Sequence, residues 1–393
     1  HSISLVTFGA PTQRAQGSGT TQEVYDLAGS IYYNTYWGYQ DGKKRNSRIV
    51  KSFDPTVILS HDFKIDDQKR LRTGLAYHYS LYSNSALGFY NAPDPRPDYY
   101  RDLPSFWNTN TAVRDEMIAE WETNQDVRQI DWAELYRENA MNNDANPDDN
   151  AKYMVERRHN NLAELAFNST FTNDISKKFR LTAGVELKQS KGMHFKTMED
   201  LLGGNQWIDI DQFAERDFPA NPDIIQNDAR NPNRVIKEGD IFGYNYDINL
   251  THANFFVQNE WNFDKLEVHY AAKLTYTEFY RFGHMENGRA LAVGAISYGK
   301  GKKWWSLDPS FKGGIVYKFD GRHRVTANAL RENRAPLSTN SYVSQRIKDT
   351  SITMRPEDIT RFHAGYSFNF TVVRGRITGF HTEIINSVDM LGY

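Results

Sequence analysis

Apolar and polar residues alternate along "FFVQNEWNFDKLEVHYAAKLTYTEFYR" (255–281), on both sides of one short polar joint at Asp264-Lys265. Beyond the joint, Leu266, Val268, Tyr270, Ala272, Leu274 and Tyr276 fall on even numbers, while Glu267, His269, Lys273, Thr275 and Thr277 fall on odd ones. A period of two predicts a strand with one apolar and one polar face. It persists for about twice the five or six residues of an ordinary strand.

The same plan recurs. In "NLAELAFNSTFTNDISKKFRLTAGVELKQ", Ala163, Leu165 and Phe167 share a face, and after a joint at 173–177 so do Phe179, Leu181, Ala183, Val185 and Leu187. Further hairpins are predicted with turns at Asp66 to Lys69, at the favoured tight-turn pair Asp320-Gly321 and near Arg374-Gly375. Together they give roughly eleven strands, the first at Ser2 to Gly9. The links between hairpins are long: 10–47, 86–160, 194–248, 284–303 and 336–360. Tight turn and long loop therefore alternate along the chain. In an up-and-down antiparallel sheet, alternate connections lie on opposite edges, so the loops are sorted by side. Outer-membrane barrels have that asymmetry, with short periplasmic turns and long extracellular loops.

Phe63, Phe179, Trp261, Phe263, Phe319 and Phe370 all lie within a few residues of a tight turn and on a barrel would ring one membrane interface. Tilted strands of this length suit a hydrocarbon layer of about 30 Å, where only closed pairing satisfies the backbone. The polar faces, carrying Arg72, His78, Glu164, Arg180, Glu186, Lys188, Glu260, Glu267, His269, Lys273 and Arg324, would then line a lumen. The predicted fold is thus all-β: an antiparallel up-and-down transmembrane β-barrel, with Leu274 facing lipid and Thr275 facing the lumen.

Composition agrees with this picture. Aromatics are 14% of the 393 residues. Mean hydropathy is −0.69 and no run of about 18 apolar residues occurs, which argues against a membrane-spanning helix but not against a barrel whose strands are half polar. A formal net charge of -2 points away from a nucleic-acid partner. The absence of cysteine removes disulfides and thiolate metal sites. The start, "HSISLVTFGAP", reads as an internal or processed end rather than a natural beginning.

Two loops carry local structure. In 86–160, Val113, Met117 and Trp121 share a helical face, and Asp131 with Glu134 has capping-box spacing ahead of Trp132, Leu135 and Tyr136. In 194–248, short helical turns are expected around Gly203-Gly204.

Candidate chemistry is sparse. Asp144, Asp148 and Asp149 are oxygen donors without the spacing of a calcium loop, and read as solvated loop charge. Asp209 and Asp211 form a carboxylate pair with no placed substrate. "SYGKGKKWW" lacks phosphate-loop spacing. No nucleophile–base set stands out, so neither an enzyme nor a cofactor is expected. Tyr99, Tyr100, Arg101, Trp132, Trp207, Tyr244 and Tyr246 are the candidate ligand contacts, since flat aromatics with arginine suit sugars, peptides or cyclic molecules. Packing of the loops against one another would use the same residues.

The segments "FGAPTQRAQG", "NAPDPRPDYYRDLPSF", "LLGGNQWIDIDQFAERDF" and "NDARNPNRVIKEGD" resemble the large-loop segments of Bacteroidetes TonB-dependent outer-membrane receptors, in the group carrying a carboxypeptidase-like regulatory domain. Asp102 stands where that pattern has an aromatic. The resemblance implies a barrel of about 22 strands, filled by the protein's own plug domain. It also implies uptake of a nutrient ligand powered by the TonB complex. Residues 1–393 would then be roughly half of one barrel domain, its middle portion, in outer-membrane lipid, with plug and N-terminal domain absent. The alternative is a non-transporting β-rich surface protein that binds or adheres to glycan or peptide.

Overall fold

A computed structural model describes residues 1–388 except 343, 345 and 352. Eleven strands follow one another as an antiparallel meander: β1 (Ser2–Phe8), β2 (Thr56–Lys64), β3 (Lys69–Phe89), β4 (Tyr153–Ser176), β5 (Phe179–Asp200), β6 (Ile241–Asn262), β7 (Leu266–Gly283), β8 (Trp304–Lys318), β9 (His323–Arg334), β10 (Glu357–Asn369) and β11 (Arg374–Ile385). The sheet is open, with β1 and β11 each at the end of the strand order among the described residues. A short strand at Ile49–Phe53 continues the pairing of β3 beyond the end of β2.

Register turns the sequence alternation into two chemically distinct faces. Leu5, Leu59, Leu75, Phe167, Leu187, Ala253, Tyr276 and Leu307 pair in one row across eight strands. The neighbouring row on the opposite face reads Ser4, Ser60, Gly74, Asn168, Glu186, Asn254, Thr275 and Asp308. A one-residue slip in any strand would exchange these rows.

The apolar face is uncovered by protein: Leu59 is 43% exposed, Leu187 46%, Phe255 56% and Leu307 54%. Along β7 it runs from Leu266 to Tyr276 and then meets Glu278; along β5 it runs from Phe179 to Leu187 and then meets Gln189 and Lys191. Nine to eleven residues at about 3.3 Å each, tilted, match an apolar band about 25 Å tall. Where the band stops, ion pairs begin, including Lys191 with Asp247 at 2.9 Å and Lys303 with Glu278 at 2.6 Å. The polar face pairs charges across strands, as in Lys273 with Glu332 at 2.9 Å and Lys188 with Glu164 at 3.5 Å.

All five tight turns lie at the same end. The Asp66 carboxylate accepts from the Gln68 and Lys69 amides, and Asp320 accepts from Arg322 and His323. Such Asx geometry fixes a short turn. Aromatic rings stack beside these turns: Phe179 on Trp261 at 4.1 Å, and Trp261 near Phe263 at 6.3 Å. The last turn corrects the sequence reading. It spans Phe370 to Val373, closed by Phe370 N–H donating to Val373 O, and Arg374-Gly375 already belongs to β11. Gly375 is a packing glycine: a Cβ there would lie 2.3 Å from the Phe368 ring.

The strands also outrun their predicted ends. β4 has 24 residues and β5 has 22, so the loops that were expected at 86–160 and 194–248 occupy only 90–152 and 201–240. Beyond the apolar band these strands stand above the membrane, where their polar outward residues hide the alternation.

Buried hydrophobic residues cluster at that raised end. In the first loops, α1 (Gln22–Ala28) and α2 (Thr111–Thr123) bury Val24 against Leu103 and Trp121. Helix α3 (Trp132–Ala145) begins as the sequence predicts, the Asp131 carboxylate accepting from Glu134 N–H at 2.9 Å. Its Asn139, fully buried, anchors it. The side-chain amide donates to the carbonyls of Tyr153, Leu201 and Leu202, and its oxygen accepts from the amides of Lys152 and Tyr153. A helix is thereby fastened to the ends of both β4 and β5.

Two outcomes follow. Leu274→Arg is expected to cost about 2–4 kcal/mol in urea titrations of folding into lipid vesicles, and Glu186→Arg much less. Glu186, exposed on the inner face, serves as the comparison, since Thr275 on that face is only 8% exposed. Asn139→Leu leaves several buried backbone groups unpaired at about 1–3 kcal/mol each. Rapid proteolysis within 90–152, with the strands intact, is the expected readout.

Candidate functional site

The direction each loop folds is set by which face its contact residues occupy. Tyr153 and Val155 of β4, with Leu87 and Phe89 of β3, lie on the outward alternation and pack against Ile130, Trp132 and Leu135. The loop 90–152 therefore leans on the outside of the wall. Met154, Met198 and Phe242 lie on the inward alternation and pack with Trp207, Leu201 and Ile236, so loop 201–240 folds over the lumen. Inward Phe279 is likewise capped by Trp304 at 5.1 Å and by Tyr342 of loop 335–356 at 6.4 Å.

Asp209 organises the lumenal loop. Its buried carboxylate accepts from Asn227, Arg234 and the Gly243 amide. Asp211 caps α4 (Gln212–Asp217) through the amides of Phe213 and Ala214, and holds Arg346 at 3.1 Å and Arg289 at 3.7 Å. The two carboxylates considered as a chemical pair are thus both engaged in shaping the loop.

Between this loop and the inner wall lies a cleft of about 480 Å³. Arg158, Lys196, Arg281 and Arg346 line it with Glu156 and Asp211, together with Trp207, Phe242 and Tyr244. Glu156 sits between Arg158 at 2.6 Å and Lys196 at 2.8 Å. Burial by itself would raise the Glu156 carboxyl, but the two cations outweigh it and hold it below the usual carboxylate range. The Arg281 guanidinium lies over the Tyr246 ring at 4.4 Å and donates to Ser297 O. Burial pushes the Tyr244 phenol up to about 12, so it stays protonated and a donor at neutral pH.

The sequence-predicted contacts divide into three groups. Trp207 and Tyr244 line the cleft, and Tyr246 stands behind it beneath Arg281. Tyr99, Tyr100 and Arg101 form a separate patch on the outer loop, the Tyr rings 4.8 Å apart and Arg101 Nε donating to Tyr100 Oη at 2.9 Å. Trp132 has no exposed surface; its indole donates to Arg45 O and the Arg45 guanidinium covers its face at 4.1 Å. Trp132 therefore packs loops, and it borders a second cavity on the outer side, with Arg45, Arg157 and Asp200. Asp144 in the last turn of α3, and Asp148 and Asp149 just beyond it, lie exposed. Sequence reasoning missed the four cations of the cleft. The available signal was their place on the inward alternation next to a folded loop, as with Arg158 and Lys196.

Glu156 also gives a pH signature. Its folded value is depressed, so its contribution is complete above the unfolded carboxylate value of about 4.3 and is lost as pH falls through the folded value. Glu156→Gln is expected to destabilise the protein by about 1–3 kcal/mol at pH 7, less than for a fully enclosed pair because Arg158 is half exposed. Thermal unfolding across pH should show this deficit shrinking below about pH 4.

No known family model matches the sequence, and no curated protein matches it either. Solved structures do share its fold. The ferric citrate transporter FecA, unliganded, superposes with a TM-score of 0.56 at 7% identity over 97% of this chain and 40% of its own. The ferric-catecholate import receptor Fiu from E. coli K12 gives 0.53 at 12% identity in its closed form, over 99% of this chain and 50% of its own. Its open form gives 0.51 at 11% identity. This chain thus spans 40 to 50% of the length of those three structures. With its apolar outer band, polar inner face and one-sided long loops, the chain has the fold of an outer-membrane β-barrel wall, and its place is the outer membrane.

Proposed function

We propose that this chain is part of an outer-membrane uptake receptor that captures a nutrient ligand at its extracellular end and passes it inward by TonB-dependent transport. The observation that carries the reading is the lumen-side cleft, roofed by loop 201–240 and placed above the apolar band. A ligand held there stands at the mouth of a lumen, where a membrane-crossing route would begin. The engaged charges of the inner face suit contact with a polar plug domain better than an open ion path. The open sheet and the partial coverage of its structural neighbours support a wall that further strands complete. Sequence features of the large loops support the Bacteroidetes receptor group carrying a carboxypeptidase-like regulatory domain. No acid, base and nucleophile converge in the cleft among the described residues, which favours binding over catalysis.

The test is uptake in cells producing the full-length protein, with and without a working TonB complex. Radiolabelled nutrient mixtures should enter only when both are present. Entry that persists without TonB, or surface binding never followed by entry, would replace this reading with a passive barrel or an adhesin.

A further inference from the structure

We propose that the lumen-side cleft selects a small polyanion, a molecule carrying several carboxylate, phosphate or sulfonate groups. This assignment rests on the uptake reading and names its ligand class. Four cationic side chains line the cleft against two carboxylates. Each carboxylate is already shared: Glu156 between Arg158 and Lys196, Asp211 between Arg346 and Arg289. Both acidic groups are therefore neutralised, Glu156 within the wall and Asp211 among the loops, and the cleft lining keeps more cations than carboxylates. Arg281 adds a guanidinium held in place by Tyr246 and Ser297.

A second observation is independent of charge. Trp207 is 2% exposed and lines the cleft, and its buried indole N–H has no hydrogen-bond acceptor among the described residues. A buried donor without an acceptor is costly, and a ligand oxygen would satisfy it. Tyr244 and Asn245, whose side chains carry donors, also line the cleft. A neutral sugar could stack on Tyr244 but would leave the charge excess unused, and the Phe242 ring is buried beneath Lys196. A cation would enter against that excess, in a partly enclosed site where charge is weakly screened.

The experiment uses the full-length protein in detergent and a fluorescent anion, 1,3,6,8-pyrenetetrasulfonate, followed by anisotropy. Saturable binding is expected, displaced by citrate but not by maltotriose or spermine, and weakened when salt rises from about 50 to about 500 mM. Arg346→Gln should weaken it about tenfold, the value of one charge-assisted hydrogen bond. Trp207→Phe, which keeps a ring and removes the N–H, should weaken it about threefold or more. Arg101→Gln, on the outer patch, should leave it unchanged, and unchanged melting temperatures would show that all three variants fold. Displacement by maltotriose or spermine, or equal losses in Arg101→Gln and Arg346→Gln, would overturn the anion assignment while leaving uptake intact. Anion binding as expected, with probe uptake independent of TonB, would support the site and refute the transport reading instead.

Discussion

A backbone crossing hydrocarbon has no water to pair with, so every amide and carbonyl must find its partner in a neighbouring strand. The rest of this molecule depends on that constraint. It forces long strands, ties them in a continuous antiparallel register, and makes the two faces meet different solvents. The rows through Leu187 and through Glu186 are one residue apart in sequence and lie on opposite sides of the wall. Leucines that are nearly half exposed are then ordinary, because the medium they face is lipid.

The same alternation continues above the membrane, where it acquires a different use. Met154 and Tyr153 are adjacent, yet one receives the lumenal loop and the other the outer helical loop. Neighbouring residues on two extended strands thus separate two compact layers by the thickness of a single sheet. Asn139 and Asp209 fasten those layers to the strand ends with multiple hydrogen bonds from one buried side chain each.

The lumenal layer gives the wall its chemistry. The Glu156 and Asp211 carboxylates that border it each sit between two cations, which offsets the cost of desolvating them. What remains is a cleft that is positive, partly enclosed and rich in donors, bordered by aromatic faces. The outer layer, with Tyr99, Tyr100 and Arg101, is a separate surface whose rings contact one another and not the cleft.

Sequence alone determined the strands, their faces, the sorting of the loops and the starts of the two larger helices. Those features are local: period-two alternation, Asp at turns and Asp131 at a helix start are each read within a dozen residues. The candidate contacts were legible as residue types, and two of them, Trp207 and Tyr244, line the cleft. The division of the seven was not, because Trp132 and Trp207 look alike until it is known which face their loops cover. The tertiary structure alone decided that, along with the pairing of Glu156 with Lys196 and the meeting of Asp211 with Arg346 across 135 residues of chain. Long-range register brings such groups together, and no short stretch of sequence contains it.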